Sequence, residues 1–237
     1  MPDLTEKKPI EPARETQATQ LTNRMRADIV SCDIPPGEKL RMEFLRDKYG
    51  AGGSPVREAL NRLVAEGFVV QSDQRGFRAA PVSLEEMLDL TVARVWIGES
   101  ALRASVENGD DLWEERVVLA FHRWERAMKR GVDVSSNEMH ALHANFHREI
   151  LSECGSQWML NFWDTSFDYA QRYQAMSQQA HHGQKRDALK EHRDIMQAAL
   201  DRDVDTCVKL HRAHLELTAD IVRALESTFN QSDNDGD

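Results

Sequence analysis

The sequence predicts a mainly α-helical protein with two units, a small helical unit that ends in a β-hairpin and a larger all-helical bundle. Three observations support this fold class. The chain has 237 residues, which is enough for two domains of ordinary size. Apolar residues recur at helical spacing along most of the chain. Breaks rich in glycine and proline divide it into segments of helix length.

The two units differ in charge. Residues 18–82 carry ten Lys/Arg and eight Asp/Glu, a net charge of +2, whereas residues 83–237 carry 17 and 28, a net charge of −11. Only the first unit can therefore approach a phosphate backbone without strong repulsion. We expect a flexible arm over 1–17, a first domain over 18–82, a second domain over 83–228 and a polar tail over 229–237.

Several classes of protein are excluded by composition. No apolar run reaches the ~18 residues of a membrane span, and the N-terminus has no apolar stretch after its charges, so it does not resemble a secretory signal. The three cysteines, Cys32, Cys154 and Cys207, have neither metal-site spacing nor the even number of a disulfide framework. These features predict a reducing, cytoplasmic location.

The first unit should begin with two helices. The first is predicted over 19–32, with Leu21, Met25 and Ile29 on one apolar face. The proline- and glycine-containing stretch DIPPGEKL ends it. A short second helix is predicted over 42–49, followed by the glycine-rich turn GAGG.

The third helix, over 54–66, has a clear N-terminal pattern. Ser54 suits the N-cap and Pro55 the first helical position, and Gly67 should end the helix. Arg57 lies in the first turn, where a cation opposes the helix dipole unless an anion lies in front of it. DNA would supply that anion, and the alternative is an ordinary solvated arginine.

The stretch FVVQSDQRGFRAAPV predicts a two-stranded hairpin with a polar turn that ends at Arg75 and Gly76. Three helices followed by a hairpin form the winged helix-turn-helix pattern. The third helix would lie in the major groove, and the hairpin tip would reach the adjacent backbone or minor groove. The residues expected to contact DNA are Ser54, Val56, Arg57, Asn61, Arg75 and Gly76.

The stretch IPPGEKLRMEFLRDKYGAGGSPVREALNRLVAEGFVV resembles the DNA-binding domain of the GntR family of bacterial transcription regulators. PVREAL followed by L-x-x-E-G is the most specific part, and the resemblance covers about residues 20–81. Arg57 matches the arginine of the family motif, and Gly76 matches the wing-tip glycine. Many members carry Ser-Arg-Thr before the proline. This chain has Gly-Gly-Ser there, which implies the loss of one base contact and a different operator.

The second unit is predicted to contain only helices, separated by glycine-containing or polar breaks. The predicted helices cover 83–107, 110–130, 135–153, 156–180, 184–201 and 203–228.

Four histidines lie on the apolar faces of three of these helices. In HALHANFHREI, His143 and His147 lie within the apolar stripe, one turn apart, and His192 and His214 lie among apolar residues of the last two helices. Each buried imidazole needs partners for two nitrogens, and one shared cation would satisfy all four residues. A divalent metal is therefore predicted, zinc first, with nickel, iron or manganese as alternatives. A metal-free polar network is the other alternative.

Residues 84–226 resemble the FCD effector domain of one GntR branch, in which a helical bundle encloses a cavity with metal ligands. His147 matches the family histidine in HANFH, His192 the one in EHRDIM, and His214 the one in AHLELT. His143 stands where the family has aspartate. The tracts ALRASVENGDDLWE, CGSQWML and AQRY are most similar to the carbon-starvation-induced repressor subgroup. That similarity implies a small carboxylate effector, such as a short dicarboxylate.

An anionic effector needs a cation in an otherwise acidic bundle. Arg94 and Arg172 are the two candidates, and a surface position is the alternative for each, favoured for Arg172. The sequence therefore predicts a homodimeric, ligand-responsive transcription regulator, a repressor, that binds operator DNA as paired half-sites. A metalloenzyme is disfavoured, because HANFH is not HExxH and Glu149 points away from the histidine face. A dimerisation scaffold without effector would leave the buried histidines unexplained.

Overall fold

The computed structural model describes residues 16–72, 76–133, 136–180 and 186–224, so most of the predicted arm and all of the predicted tail lie outside the described residues. The chain divides into two compact units. The first contains the chain up to Arg26 together with Lys39–Arg78, and the second contains Ala27–Glu38 together with the chain from Ala79 onward. The sequence did not indicate that 27–38 belongs with the helical unit. The domain boundaries expected from the sequence stay a prediction.

The first unit has the order of elements expected of a winged helix. Its helices are α1 (Gln17–Val30, which ends in the second unit), α2 (Met42–Tyr49) and α3 (Gly53–Ala65). Its strands are β1 (Lys39–Leu40), β2 (Val69–Ser72) and β3 (Gly76–Ala79), in the sheet order β1-β3-β2. The predicted hairpin is therefore confirmed, but it gains a third strand. Two residues of β1 are too few to form a recognisable pattern.

Helix α3 begins one residue earlier than predicted. Its N-cap is Gly52, which makes no side-chain capping bond, so Ser54 lies inside the first turn rather than at the cap. Pro55 is tolerated there because the amides of the first turn have no intrahelical acceptor. Gly67 has a φ of 81° and ends the helix as predicted, with the Phe68 amide donating to the Leu63 carbonyl at 2.9 Å.

Every helix or strand assigned to the described residues from Leu84 onward is a helix, which confirms the predicted bundle. Its helices are α4 (Leu84–Asn108), α5 (Asp111–Lys129), α6 (Asn137–Ile150), α7 (Gln157–Ala180), α8 (Ala188–Leu200) and α9 (Val204–Ala224). Four of them start at a side-chain cap, because Ser83, Asp110, Ser136 and Asp187 each accept from a first-turn amide. These caps satisfy amides that the helices themselves cannot pair.

Helix α4 packs against α7 and α9, while α5 packs against α6 and α8. The core between these layers is rich in aromatic side chains, of which Trp113, Trp163 and Phe146 are fully buried. Burial of such large side chains supplies much of the driving force for folding. The apolar stripe of α6 faces this core, so the histidines within the stripe point inward.

Helix α7 also holds the segment that leads from β3 into α4. Nη2 of Arg172 donates to the carbonyl of Ala80, and the hydroxyl of Tyr173 donates to the carboxylate of Glu86. The amide of Ser83 donates to the same hydroxyl at 3.4 Å. Arg172 and Tyr173 are both fully buried, whereas Ser83 and Glu86 are exposed, so only the Arg172–Ala80 contact is shielded from water.

Candidate functional site

Three histidines from two helices meet at one point in the second unit. The Nε2 atoms of His143 and His147 lie 3.1 Å apart on α6. Nε2 of His192, on α8, lies 2.8 Å from the first and 3.0 Å from the second. Nitrogen ligands ~2.0–2.1 Å from one ion would lie roughly 2.9–3.4 Å apart, which is close to these separations. These three residues were predicted to lie on apolar helix faces that converge in the core, and their positions agree with that prediction.

The three contacts cannot all be hydrogen bonds. Nδ1 of His192 lies 2.6 Å from the Ala188 carbonyl, so Nδ1 carries the proton and Nε2 of His192 has only a lone pair. Each of the other two Nε2 atoms has either one proton or one lone pair. At least one of the three nitrogen pairs therefore has either no proton or two protons between its atoms, and such a pair cannot form a hydrogen bond. A cation at the centre removes that conflict, so the donor set fits a metal ion.

Burial keeps these imidazoles in the form that binds metals. Desolvation holds the pKa of His143 and of His147 well below the usual range, and it lowers the pKa of His192 to about 4. All three are therefore neutral near pH 7, and a neutral imidazole offers a lone pair to an ion. No deprotonation step is needed before the ion binds.

Aromatic rings surround the cluster. The indole of Trp124 stacks on His143 with a centroid separation of 5.0 Å and an interplanar angle of 16°. The ring of Phe167 meets the same imidazole edge-on at 5.2 Å. These rings restrict the imidazoles and exclude water from one side of the cluster. Sequence analysis missed Trp124 because it lies on α5, outside every histidine-containing segment.

His214, on α9, lies next to the cluster but outside the closest group of nitrogens. Its ring centroid is 4.3 Å from that of His192 and 5.5 Å from that of His147. The group whose ring nitrogens all lie within 4.8 Å of one another contains His143, His147 and His192 only, among the described residues. His140, at the edge of the stripe, instead pairs with Asp168 at 3.0 Å.

A narrow cavity adjoins the cluster. Its lining includes Arg94, His143, His147, Gln171, Gln174 and Thr218. Arg94 is only 5% exposed, and its guanidinium lies 4.8 Å from the ring centroid of Trp163. Burial lowers the pKa of Arg94 to about 10, so it stays protonated near pH 7.

No acidic side chain within the described ranges forms an ion pair with Arg94, and its Nε has no hydrogen-bond partner there. An unpaired buried cation is costly. The cavity beside the histidines is therefore suited to an anion.

Arg172, the second cation expected from the sequence, lies elsewhere. It is not among the cavity residues, and its side chain bonds to the Ala80 carbonyl. It is fully buried, so it does not occupy the surface position given as its alternative. The physical reason is its place on α7: the cavity side of that helix carries Gln171 and Gln174, and Arg172 points to a different side.

His211 is a buried polar residue that sequence analysis missed. It is 0% exposed, and neither ring nitrogen has a hydrogen-bond partner among the described residues. Its ring lies 5.3 Å from Trp163 and against Gly98 of α4, and desolvation lowers its pKa to about 3. The available signal was its position three residues before His214, on the same side of α9.

The first unit presents part of the expected DNA contact set on one side of α3. Ser54, Arg57 and Asn61 are exposed there, at a spacing that keeps them on one helix face. Val56 is a correction, because its side chain is 0% exposed and packs in the core of the unit. Gly76 is exposed at the start of β3 with a φ of 81°. Arg75 lies outside the described residues.

A winged helix in one unit, and a helical bundle with a buried histidine cluster beside a narrow cavity in the other, are the architecture of a transcription regulator with a DNA-binding and an effector-binding domain. Residues 17–78 match the gntR family of bacterial regulatory proteins, and residues 89–217 match the FCD domain. The chain belongs to the GntR family, in the branch that carries an FCD domain. It is a transcriptional regulator and not an enzyme.

Two curated relatives support this assignment. The chain is 37% identical over 204 residues to an uncharacterized HTH-type transcriptional regulator, BphR, of Paraburkholderia xenovorans (strain LB400), covering 84% of this chain and 82% of the relative. It is 32% identical over 201 residues to the HTH-type transcriptional repressor GlaR of Escherichia coli (strain K12), covering 81% and 89%.

Solved structures share the fold. A putative GntR transcriptional regulator from Rhodococcus sp. RHA1 superposes with a TM-score of 0.74 at 17% identity. The match covers 89% of this chain and 99% of that one. McbR/YncC of E. coli gives a TM-score of 0.72 at 17% identity, over 93% and 100%. Within the described residues, no helix is both long and apolar enough to cross a membrane.

Proposed function

We propose that this regulator is a repressor whose helical unit binds a small carboxylate at a metal ion, and that this binding changes its affinity for operator DNA. The observation that carries the proposal is the convergence of three neutral Nε2 atoms beside Arg94, a buried cation without an acidic partner in the described part of the chain. An ion and a buried cation together would attract a carboxylate strongly in this dry surrounding.

The proposed metal ligands are His143, His147, His192 and His214. Imidazole ligands favour zinc, with nickel, iron and manganese as the alternatives. The bound ion would supply a positive charge and an open coordination position for a carboxylate oxygen. The aromatic side chains around the cluster hold the imidazoles in place, so few side-chain rotamers remain to be ordered when the ion binds.

The proposed effector contacts are Arg94, for charge, and the amide and hydroxyl groups of Gln171, Gln174 and Thr218. A guanidinium forms paired hydrogen bonds with a carboxylate, which makes Arg94 the specific anchor. The resemblance of the sequence to the carbon-starvation subgroup favours a short dicarboxylate. The scaffold alternative is weaker, because a protein without effector gains nothing from an unpaired buried cation.

Metal analysis tests the first half of the proposal. We expect about one divalent ion per chain in wild-type protein that has been washed with chelator, reloaded and desalted. His147→Ala should lower that content, whereas His122→Ala, an exposed histidine on α5, should not. A metal content of only a small fraction of one ion per wild-type chain would show that the cluster is a metal-free polar network.

Effector binding is tested by thermal shift, because a ligand that binds only the folded state raises the melting temperature. Small organic acids, with glutarate as the first probe, should stabilise metal-loaded wild type and should stabilise His147→Ala less. The same acids should weaken wild-type binding to operator DNA. DNA binding by His147→Ala without effector should persist.

We further propose that the regulator acts as a cytoplasmic homodimer joined through its helical unit. Paired winged helices read two half-sites, and α4 exposes Val92 and Trp96 (69% exposed) one turn apart beside a groove. Light scattering should give about twice the chain mass of 27.1 kDa. Trp96→Lys should lower that mass, and Trp158→Lys, on α7, should not.

A further inference from the structure

We propose that Glu191 is a positioning residue for the metal site. Its carboxylate accepts a hydrogen bond from Nδ1–H of His214 and thereby leaves Nε2 of that imidazole free to bind the ion. This inference rests on the metal site proposed above and adds a residue to it. Glu191 itself is not proposed as a ligand.

The starting observation is a conflict at one nitrogen. Nδ1 of His214 lies 2.9 Å from Oε2 of Glu191 and 3.0 Å from Nη2 of Arg186. A carboxylate oxygen only accepts and a guanidinium nitrogen only donates. Nδ1 carries either one proton or one lone pair, so it can satisfy only one of these neighbours.

The other contacts of Arg186 resolve the conflict. Nη2 of Arg186 lies 2.7 Å from Oε2 of Glu191 and 3.1 Å from the carbonyl oxygen of His214. The two protons on Nη2 of Arg186 therefore both have acceptors other than Nδ1 of His214. Nη1 donates to the hydroxyl of Thr218 at 2.8 Å, and Nε donates to Oε1 of Glu191 at 2.9 Å. The proton between His214 and Glu191 consequently belongs to Nδ1.

The position of that proton decides what the other ring nitrogen can do. With the proton on Nδ1, Nε2 of His214 presents a lone pair, as a metal ligand must. With the proton on Nε2, the same nitrogen could not bind an ion. Glu191 therefore selects the ligating form of His214, whose side chain is only 5% exposed and has little water to compete for the bond.

Arg186 fixes Glu191 in turn. Its Nε and Nη2 contact both carboxylate oxygens, which holds the carboxylate plane and compensates its charge. The chain of contacts runs from Arg186 through Glu191 to His214. Glu191 also directly precedes His192, so one turn of α8 provides a ligand and orients a second one from α9. Partners of this kind typically change metal affinity by ~10–100-fold.

Metal affinity measured by competition with a coloured chelator tests the inference. Glu191→Gln should weaken zinc binding by ~10-fold and Glu191→Ala by up to ~100-fold. Asp194→Asn, which removes a carboxylate of the Lys190 ion pair on the same helix, is the matched control and should leave affinity unchanged. Circular dichroism and melting temperature of the metal-free variants report whether each variant folds.

Two further measurements separate positioning from general support of the fold. In a His214→Ala background, Glu191→Gln should cause no additional loss of affinity, because the ligand that it orients is absent. The visible spectrum of cobalt-loaded Glu191→Gln should shift toward that of cobalt-loaded His214→Ala, since the first variant weakens the bond from His214 to the ion and the second removes it.

The outcomes distinguish the two proposals. Wild-type protein that binds no metal would overturn the proposed function together with this inference. If the wild type binds metal and Glu191→Gln binds it with the same affinity, only the role of Glu191 is overturned. An equal loss of affinity in the presence and absence of His214 would do the same, because it would show that Glu191 acts through the fold and not through that ligand.

Discussion

Nε2 of His143 lies 2.8 Å from Nε2 of His192, although the two residues are 49 positions apart and lie on different helices. The close approach of two neutral nitrogens is a weak contact at best without a shared proton or ion. The packing of α6 and α8 around Trp124 nevertheless holds them together, because that indole contacts both imidazoles. Apolar packing around Trp124 therefore fixes the positions of these two imidazoles.

Removal of metal should lower the stability of the helical unit. An ion that binds only the folded state at 100 times its dissociation constant contributes about 2.7 kcal/mol, which corresponds to a melting-temperature change of roughly 5–10 °C in a domain of this size. Scanning calorimetry before and after chelator treatment measures the change. The melting temperature of His192→Ala should not change with chelator. A wild-type melting temperature that also does not change with chelator would contradict the metal site.

Arg94→Met should abolish the response to small carboxylates while metal binding persists. The ligand-free variant should melt at the same or a higher temperature than wild type, because an unpaired buried cation is replaced by an apolar side chain of similar length. Thermal shift with glutarate measures both effects. Arg103→Met, which removes an exposed arginine of the same helix, is the control. A full glutarate response in Arg94→Met would exclude Arg94 as the anchor.

Arg57→Ala should weaken operator binding by ~1–3 kcal/mol if the side chain contacts a base, and by less if it contacts only phosphate. Operator DNA selected from a random library, in a gel-shift titration at constant salt, provides the measurement. Arg193→Ala, an exposed arginine on α8, serves as the control. Equal affinity of Arg57→Ala and wild type would rule out the proposed role of α3.

Gly98→Ala should reduce the unfolding free energy by a net ~1–2 kcal/mol. A Cβ at this position would lie 2.6 Å from Cε1 of His211 and 3.0 Å from Cζ3 of Trp163. Overpacking typically costs ~1–3 kcal/mol, and the gain from alanine in a helix offsets roughly 0.5–1 kcal/mol of it. Urea denaturation measures the difference. The cost should shrink in a His211→Ala background, where the nearest atom is gone, and an unchanged cost would point to Trp163 instead.

Periodicity predicted the elements well because each helix of the bundle has a buried face, and the four proposed ligands lie on those faces. Two kinds of feature could not be predicted from periodicity. Val56 and Arg172 show that a motif position or a charge does not reveal which side of a helix is covered by another element. Trp124 and Glu191 come from parts of the chain that only the tertiary fold brings to the histidines.

The four consecutive residues 171–174 of α7 face two different parts of the helical unit. Gln171 and Gln174 line the cavity, while Arg172 and Tyr173 hold the segment that follows β3. A helix turns as one piece, so a rotation of α7 about its own axis displaces the cavity wall and that segment together. A displacement of this one turn of α7 would therefore alter both the cavity lined by Gln171 and Gln174 and the segment held by Arg172 and Tyr173.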